Sequence, residues 1–191
     1  MIPKTIVHLI SGGLDSTVLL YDLIDQGHLV HAVAIDYGQT HKQELTFCAE
    51  HCDRLGIKMT TLQIPRLLGS RLTDGKGSYV VPNRNASLLC ISCNLASVAE
   101  AESVTFGSNL DDAAGFPDCR PEFVEAFNLM LRAGGIGVEV CAPYIDKTKR
   151  EIVQIGRKLA VPMHRTWSCY IGGQESCQTC PACIKRTAAF Q

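Results

Sequence analysis

The chain has 191 residues, with 18 Lys+Arg against 19 Asp+Glu for a formal net charge of -1, and it is 46% hydrophobic and 19% charged. That profile is a globular domain's rather than that of a disordered or collagenous chain, and at this length roughly 70% of the unfolded surface can be buried, so the core needs no staples. Near-neutral charge argues against a protein whose main task is gripping nucleic acid through phosphates, and no apolar run approaches the ~20 residues of a membrane helix. Met1-Ile2-Pro3-Lys4 opens without a charged leader and apolar stretch, so a cytoplasmic location is expected. The 10 Cys are then expected as thiols or metal ligands rather than disulfides.

In chain order, Thr5 to Ile10 is a β-branched, apolar run expected as the first strand. Ser11-Gly12-Gly13 marks a turn, and a helix pattern runs from Asp15 to about Asp25, closed by Gly27. Leu29 to Ile35 reads as a second strand, Lys42 to Leu55 as a helix ended by Gly56, and Ile57 to Ile64 as a third strand. Pro65 to Ser78 is irregular and is expected to form a mobile lid. Ala86 to Glu102 predicts a helix and Ser103 to Phe106 a fourth strand, followed by a polar loop from Gly107 to Arg120. Pro121 suits the first position of a helix to about Leu131, and another helix is expected from Thr148 to Leu159. The alternation predicts an α/β fold, a parallel sheet with right-handed crossovers and helices on both faces. Residues 1–166 are expected to form this nucleotide-binding domain, and the Cys-rich tail over 167–191, which has no sheet pattern, to pack on it.

In such sheets ligands lie beyond the carboxyl ends of the strands. Ser11-Gly12-Gly13-Leu14-Asp15-Ser16-Thr17 joins the first strand to the first helix there. Glycines let backbone approach an oxyanion, and a helix N-terminus offers free N–H groups and a positive dipole end. Ser11, Ser16 and Thr17 add hydroxyls, so Ile10 through Val18 are expected to hold a phosphate or pyrophosphate. A carboxylate beside a phosphate is repulsive unless a cation bridges them, so Asp15 points to Mg²⁺. The pattern is neither a Walker loop nor a dinucleotide fingerprint.

Cys169, Cys177, Cys180 and Cys183 stand in the spacing C-x₇-C-x₂-C-x₂-C. Four thiolates can close a tetrahedral Zn²⁺ shell with no open position, which makes a structural ion the expectation; the C-x₂-C-x₂-C run keeps an iron–sulfur cluster as an alternative. Cys90 and Cys93, and likewise Cys48, Cys52 and Cys141, read as buried core thiols. His8 and His31 read as satisfied strand histidines, and Trp167 as packing the tail against the domain.

Asp36 and Tyr37 after the second strand are expected at the nucleotide, with Asp36 facing a ribose hydroxyl or Mg²⁺, and Gln39 and His41 facing phosphate or base. Arg84 precedes a helix and is suited to clamp an anion or to form a surface ion pair. Asn85, Asp112, Asp118 and Arg120 are expected to recognise a polar heterocycle. Lys147 is the candidate for stabilising charge on the reacting phosphate, with a solvated lysine as the alternative, and Lys185 and Arg186 either face a nucleotide or are solvated.

SGG-x-DS after the first strand resembles the loop of the N-type ATP pyrophosphatases, which implies an adenine nucleotide alpha hydrolase-like, Rossmann-like fold and nucleotidyl transfer. The series SGGLDST, IDYGQTH, VPNRN, GFPDCRPEF, DKTKREI and SCYIGG followed by C-x₂-CPAC resembles the 7-cyano-7-deazaguanine synthase family. That resemblance implies an ATP-dependent C–N ligase that takes 7-carboxy-7-deazaguanine and ammonia to a nitrile through acyl-adenylate and amide intermediates. It implies Mg²⁺ with ATP, Asp15, Arg84 and Lys147 as catalytic groups, and only small-molecule substrates without direct nucleic-acid binding; family members are often dimeric. Departures are Asn83 where the family usually carries Gly, Ala142-Pro143-Tyr144-Ile145 in place of an aromatic-rich stretch, a short lid and little chain after the cysteines. These leave open a relative that stops at the amide for DNA modification, and a tRNA-modifying ATP pyrophosphatase is the further alternative.

Overall fold

The computed structural model describes residues 2–173 and 175–191. Five parallel strands form one sheet in the order β3-β2-β1-β4-β5: β1 (Thr5–Leu9), β2 (Leu29–Asp36), β3 (Met59–Gln63), β4 (Ser103–Phe106) and β5 (Glu139–Cys141). The helices are α1 (Leu14–Asp25), α2 (Gln43–Leu55), α3 (Arg84–Val98), the short α4 (Leu110–Ala113), α5 (Pro121–Ala133), α6 (Lys149–Lys158) and α7 (Pro181–Phe190).

Alternation along the central strand sorts the core. Ile6 packs with Leu14, Val18 and Leu19 of α1 and Ile152 of α6, while Val7 and Leu9 pack with Leu88 and Leu89 of α3 and Phe127 of α5. Ala32 and Ala34 of β2 meet Cys48 and Cys52 of α2 on the α1 side. Helices therefore cover both faces, as expected of a parallel sheet. The chain leaves β1 toward β2 on one side and β4 toward β5 on the other, so the strand order reverses between β1 and β4 and opens a crevice beyond their carboxyl ends.

Two contacts hold the first turn of α1 at that crevice. His8 is fully buried, with Nδ1 2.9 Å from Thr105 Oγ1 and Nε2 2.9 Å from the Ser16 carbonyl, and burial lowers its pKa to about 4. Gly107, just past β4, lies so close that a Cβ there would sit 2.6 Å from the Ser16 nitrogen. Gly12 takes a positive φ of 71°, and a Cβ on it would collide with the Glu44 carbonyl of α2.

The expected strand and helix order is found, with α4 added inside the expected loop after β4 and with further differences. β5 is only three residues long and gives too short a pattern to read. α7 starts at Pro181, directly after a cysteine-rich stretch that masks the helix signal. α3 stops at Val98 because Glu100 turns the chain in the left-handed region at φ 52°, rather than running to Glu102. Cys90 is exposed and Cys141 half-buried, whereas Cys48, Cys52 and Cys93 are buried. The 65–78 segment is tied down by Asp74, which accepts from the Gly69 and Ser70 amides at 3.0 Å each, and it inserts Leu72 into the core. Asn83 opens α3 at φ 55°, a region that Asn enters more readily than most residues, so it stands in for glycine without a broken turn. Among the described residues no helix is long and apolar enough to cross a membrane.

Gly107→Ala is expected to destabilise the fold by about 2 kcal/mol, because backbone rather than a flexible side chain must move. Gly115→Ala, which meets nothing within 4 Å, should stay within about 0.5 kcal/mol in the same urea titration.

Candidate active site

The crevice holds a cavity of about 220 Å³, floored by Ser11, Gly13, Leu14, Asp15 and Ser16. Gly13 caps α1 in extended backbone, and no side chain satisfies the helix end, so the first-turn amides and the positive dipole end meet the cavity. The loop is stiffened internally: Ser11 Oγ lies 2.9 Å from Ser16 Oγ and accepts from the Gly13 amide at 3.3 Å. The Gly12 carbonyl accepts from the Trp167 amide at 2.9 Å, which ties the loop to the tail. Ile10 also lines the cavity, whereas Thr17 and Val18 are turned into the core, Thr17 Oγ1 without a partner.

A chain of charges crosses one wall. Lys149 Nζ sits 2.6 Å from Asp15 Oδ2 and 3.3 Å from Asp112 Oδ2, and Lys185 Nζ sits 2.8 Å from Asp112 Oδ1. The Lys149 and Asp15 side chains are only 12% and 15% exposed. Burial works against the Lys149 charge, but Asp15 and Asp112 outweigh it and hold the ammonium above the usual lysine range. Among the described residues Asp15 Oδ1 is buried with no partner. Lys147 is not part of this wall: its ammonium lies 3.4 Å from the exposed Asp146, outside the cavity. The residue that reaches Asp15 is Lys149, at the first position of α6. The sequence held a signal for it, since Thr148 and Glu151 form a capping box that puts Lys149 in the first helical turn.

The opposite wall carries Tyr37, His41, Glu44, Arg84 and Asn85. The Tyr37 amide donates to Gln39 Oε1 at 2.9 Å, and Gln39 Nε2 donates to Glu44 Oε1 at 3.0 Å. His41 Nε2 lies 3.4 Å from Glu44 Oε2. Burial lifts the Glu44 carboxyl to about 8 and lowers His41 to about 4, the Arg84 charge adding to the second effect. Glu44 escaped the sequence reading because a lone carboxylate in the first turn of an amphipathic helix looks solvated. Arg84 Nε donates to Asn85 Oδ1 at 3.3 Å, and Asn85 Nδ2 donates to the Asp118 carbonyl at 3.4 Å.

Several expected residues lie elsewhere. Gln39 is buried behind Tyr37 and Glu44 rather than on the cavity surface. Asp36 is consumed by its own turn, accepting from the Gly38 amide at 2.9 Å and pairing with Lys42 at 2.9 Å. Arg120 is exposed and donates to the Ala113 carbonyl at 2.8 Å, and the Asp118 side chain does not line the cavity. Asp112 does line it, as do Ser108, Phe116 and Tyr170.

The tail closes the site. Sγ atoms of Cys169, Cys177, Cys180 and Cys183 all lie within 4.8 Å of one another, with Cys177 and Cys183 4.0 Å apart. A tetrahedral thiolate shell with bonds of ~2.3 Å spaces its sulfurs by roughly 3.8 Å, so this cluster can hold a metal ion. Trp167 packs on Phe47 and the cysteines, as expected, donates Nε1–H to the Cys169 carbonyl at 2.8 Å and also lines the cavity. Arg186 is turned away, donating to Thr166, Ser168 and the Met163 carbonyl.

A parallel sheet in this order, with an uncapped helix N-terminus at its switch point, defines a Rossmann-like α/β fold. A solved structure with similar architecture is the U34-tRNA thiolase NcsA from Methanococcus maripaludis with its 4Fe–4S cluster, at TM-score 0.59 and 16% identity over 97% of this chain and 63% of that one. The family model for queuosine biosynthesis protein QueC matches residues 5–191. The 7-cyano-7-deazaguanine synthase of Caldicellulosiruptor bescii is 41% identical, covering 97% of this chain and 91% of its own length. That of Archaeoglobus fulgidus is 38% identical, covering 96% and 84%. The chain belongs to the QueC family, an enzyme family of the queuosine pathway.

Lys149→Ala leaves Asp15 and Asp112 facing each other with little solvent and is expected to cost about 3 kcal/mol of stability. Lys147→Ala should stay within about 0.5 kcal/mol, both read from urea unfolding midpoints.

Proposed function

We propose that this chain is an ATP-dependent ligase that converts 7-carboxy-7-deazaguanine and ammonia into 7-cyano-7-deazaguanine, releasing AMP and pyrophosphate. Two lines support the reading: relatives carrying that synthase name match almost the whole chain, and the cavity pairs an uncapped helix N-terminus with buried Lys149 and Asp15. The second observation carries the chemistry, because a triphosphate needs donors and cations on one side of a water-poor cleft.

In this reading the amides of Gly13 to Ser16 and the Ser11 hydroxyl hold the departing pyrophosphate. Lys149 stands where charge grows on the α-phosphate. The unpartnered Asp15 Oδ1 suits a divalent cation, and we assign it to Mg²⁺, which when bound spreads the phosphate charge. Tyr37, Phe116 and Tyr170 offer flat walls for adenine and the deazapurine, Asn85 and Asp112 offer polar edges, and Arg84 holds the substrate carboxylate. A carboxylate oxygen attacks the α-phosphorus and pyrophosphate leaves with the bonding electron pair. Ammonia then displaces AMP to give the amide. The amide oxygen is adenylated in turn, and loss of AMP with the last N–H proton leaves the nitrile.

We assign the four-cysteine cluster to structural Zn²⁺. Sulfurs within 4.8 Å of one another suit a single ion, whereas a four-iron cube spreads its cysteine sulfurs farther apart. It would fix α7, and with it Ala182 and Lys185 at the cavity.

Incubated with Mg·ATP, ammonium and 7-carboxy-7-deazaguanine, the protein is expected to yield AMP, pyrophosphate and a product of nitrile mass, and the same preparation to carry zinc without iron–sulfur absorbance. No AMP and no mass change overturns the ligase reading. A product arrested at the amide mass assigns the chain to the amide-forming reaction instead.

A further inference from the structure

We propose that His41 and Glu44 form a proton-accepting relay for the ammonia step, with His41 Nδ1 taking the proton shed by the attacking nitrogen while Nε2 passes its own to Glu44. The proposal rests on the ligase reading above. It begins from a cost of the chemistry. Each of the three conversions of nitrogen, ammonia to amide, amide to adenylated imidate, and imidate to nitrile, releases one N–H proton, and a closed cleft must provide an acceptor for it.

The candidate acceptors are few among the described residues of the cavity. Asp15 and Asp112 are ion-paired with Lys149 and Lys185. Burial lifts the Cys119 thiol to about 11, so it stays protonated. His8 has both ring nitrogens engaged below the floor. His41 and Glu44 remain, 7% and 8% exposed and both on the cavity wall. Among the described residues His41 Nδ1 is buried with no partner, and on the ring's other side Nε2 lies 3.4 Å from Glu44 Oε2. Gln39 fixes the carboxyl from behind: its Oε1 accepts from the Tyr37 amide, so its Nε2 must donate to Glu44 Oε1 at 3.0 Å. That leaves Oε2 free for the imidazole.

The balance closes. As the C–N bond forms, the C–O bond to AMP breaks and its electron pair leaves with AMP. The nitrogen loses one proton to Nδ1, and the Nε2 proton moves to Oε2. The ring stays neutral throughout, and the pair resets by releasing one proton to solvent. An imidazole alone at about 4 would be a poor base; the Glu44 carboxyl beside it, lifted to about 8, gives the pair a stronger acceptor, which becomes available as it ionises with pH rising through about 8. The groups facing Glu44 are Gln39 and His41 on the loop before α2, Asp36 and Tyr37 at the end of β2, Cys48 one turn along α2, and Arg84 at the start of α3. Burial and Asp36 raise the carboxyl, while Gln39 and Arg84 lower it.

The test compares two readouts in one preparation: carboxylate-dependent exchange of labelled pyrophosphate into ATP, which reports adenylation, and ammonia-dependent AMP release at fixed free ammonia. In Glu44→Gln, which keeps the shape and the acceptor for Gln39, the ratio of ammonia-dependent release to exchange is expected to fall about 100-fold. The wild-type ratio should rise with pH with a midpoint near 8, and Glu44→Asp should restore part of it with a shifted midpoint. A ratio within threefold of wild type in Glu44→Gln, or both readouts falling together, overturns the relay and leaves the ligase reading standing. Absence of exchange in the wild type overturns the ligase reading and the relay with it.

Discussion

A lysine held between two carboxylates governs the architecture around the crevice. Lys149 Nζ lies 2.6 Å from Asp15 and 3.3 Å from Asp112, in a setting where each charge has lost most of its water. Removing Lys149 strips Asp15 of its ion pair in a nearly dry site, and that penalty exceeds what the intact trio contributes as a stabiliser. Such an arrangement is costly to keep unless a highly charged ligand uses it. It also joins distant segments: Asp15 begins α1, Asp112 belongs to α4 after β4, and Lys149 begins α6, while Lys185 of α7 extends the chain of charges to the cysteine cluster.

The sheet explains why these termini converge. Strand order reverses between β1 and β4, so the turns that follow them share one crevice. Gly107 lets β4's exit lie directly against the first turn of α1, and Gly12 lets the start of α2 approach the loop between β1 and α1. The second approach buries Glu44 and brings it beside His41. One tight backbone contact therefore shapes both the glycine-rich floor of the cavity and the wall that carries Glu44.

Legibility in the sequence followed the range of the interactions involved. Local patterns were readable: the apolar strands, the glycine turn into α1, the proline at the start of α5 and the spacing of the four cysteines. β5 was not, because three residues carry no period, and α7 was not, because it follows directly on a cysteine-rich stretch and itself carries Cys183. In the site, the placement of the Ser11–Ser16 turn, Arg84, His41, Asn85 and Asp112 at one cavity followed from the rule about strand ends. Lys147, expected at the reacting phosphate, lies outside the cavity, whereas Lys149, two positions on and at the start of α6, lines it; only the capping box marks that start. Asp36 looked like a ligand and is instead taken up by Lys42 and the Gly38 amide. Glu44 was invisible because its burial comes from a neighbour's missing side chain, not from its own surroundings in sequence.

The central claim, that the α1 terminus and Lys149 receive a nucleotide's phosphates, is tested most directly by a crystal structure with a non-hydrolysable Mg·ATP analogue. The account predicts phosphate oxygens on the Gly13 to Ser16 amides, Lys149 turned toward the α-phosphate and the metal on Asp15 Oδ1. A nucleotide bound outside the β1–β4 crevice, or one that leaves Lys149 untouched between Asp15 and Asp112, would contradict it.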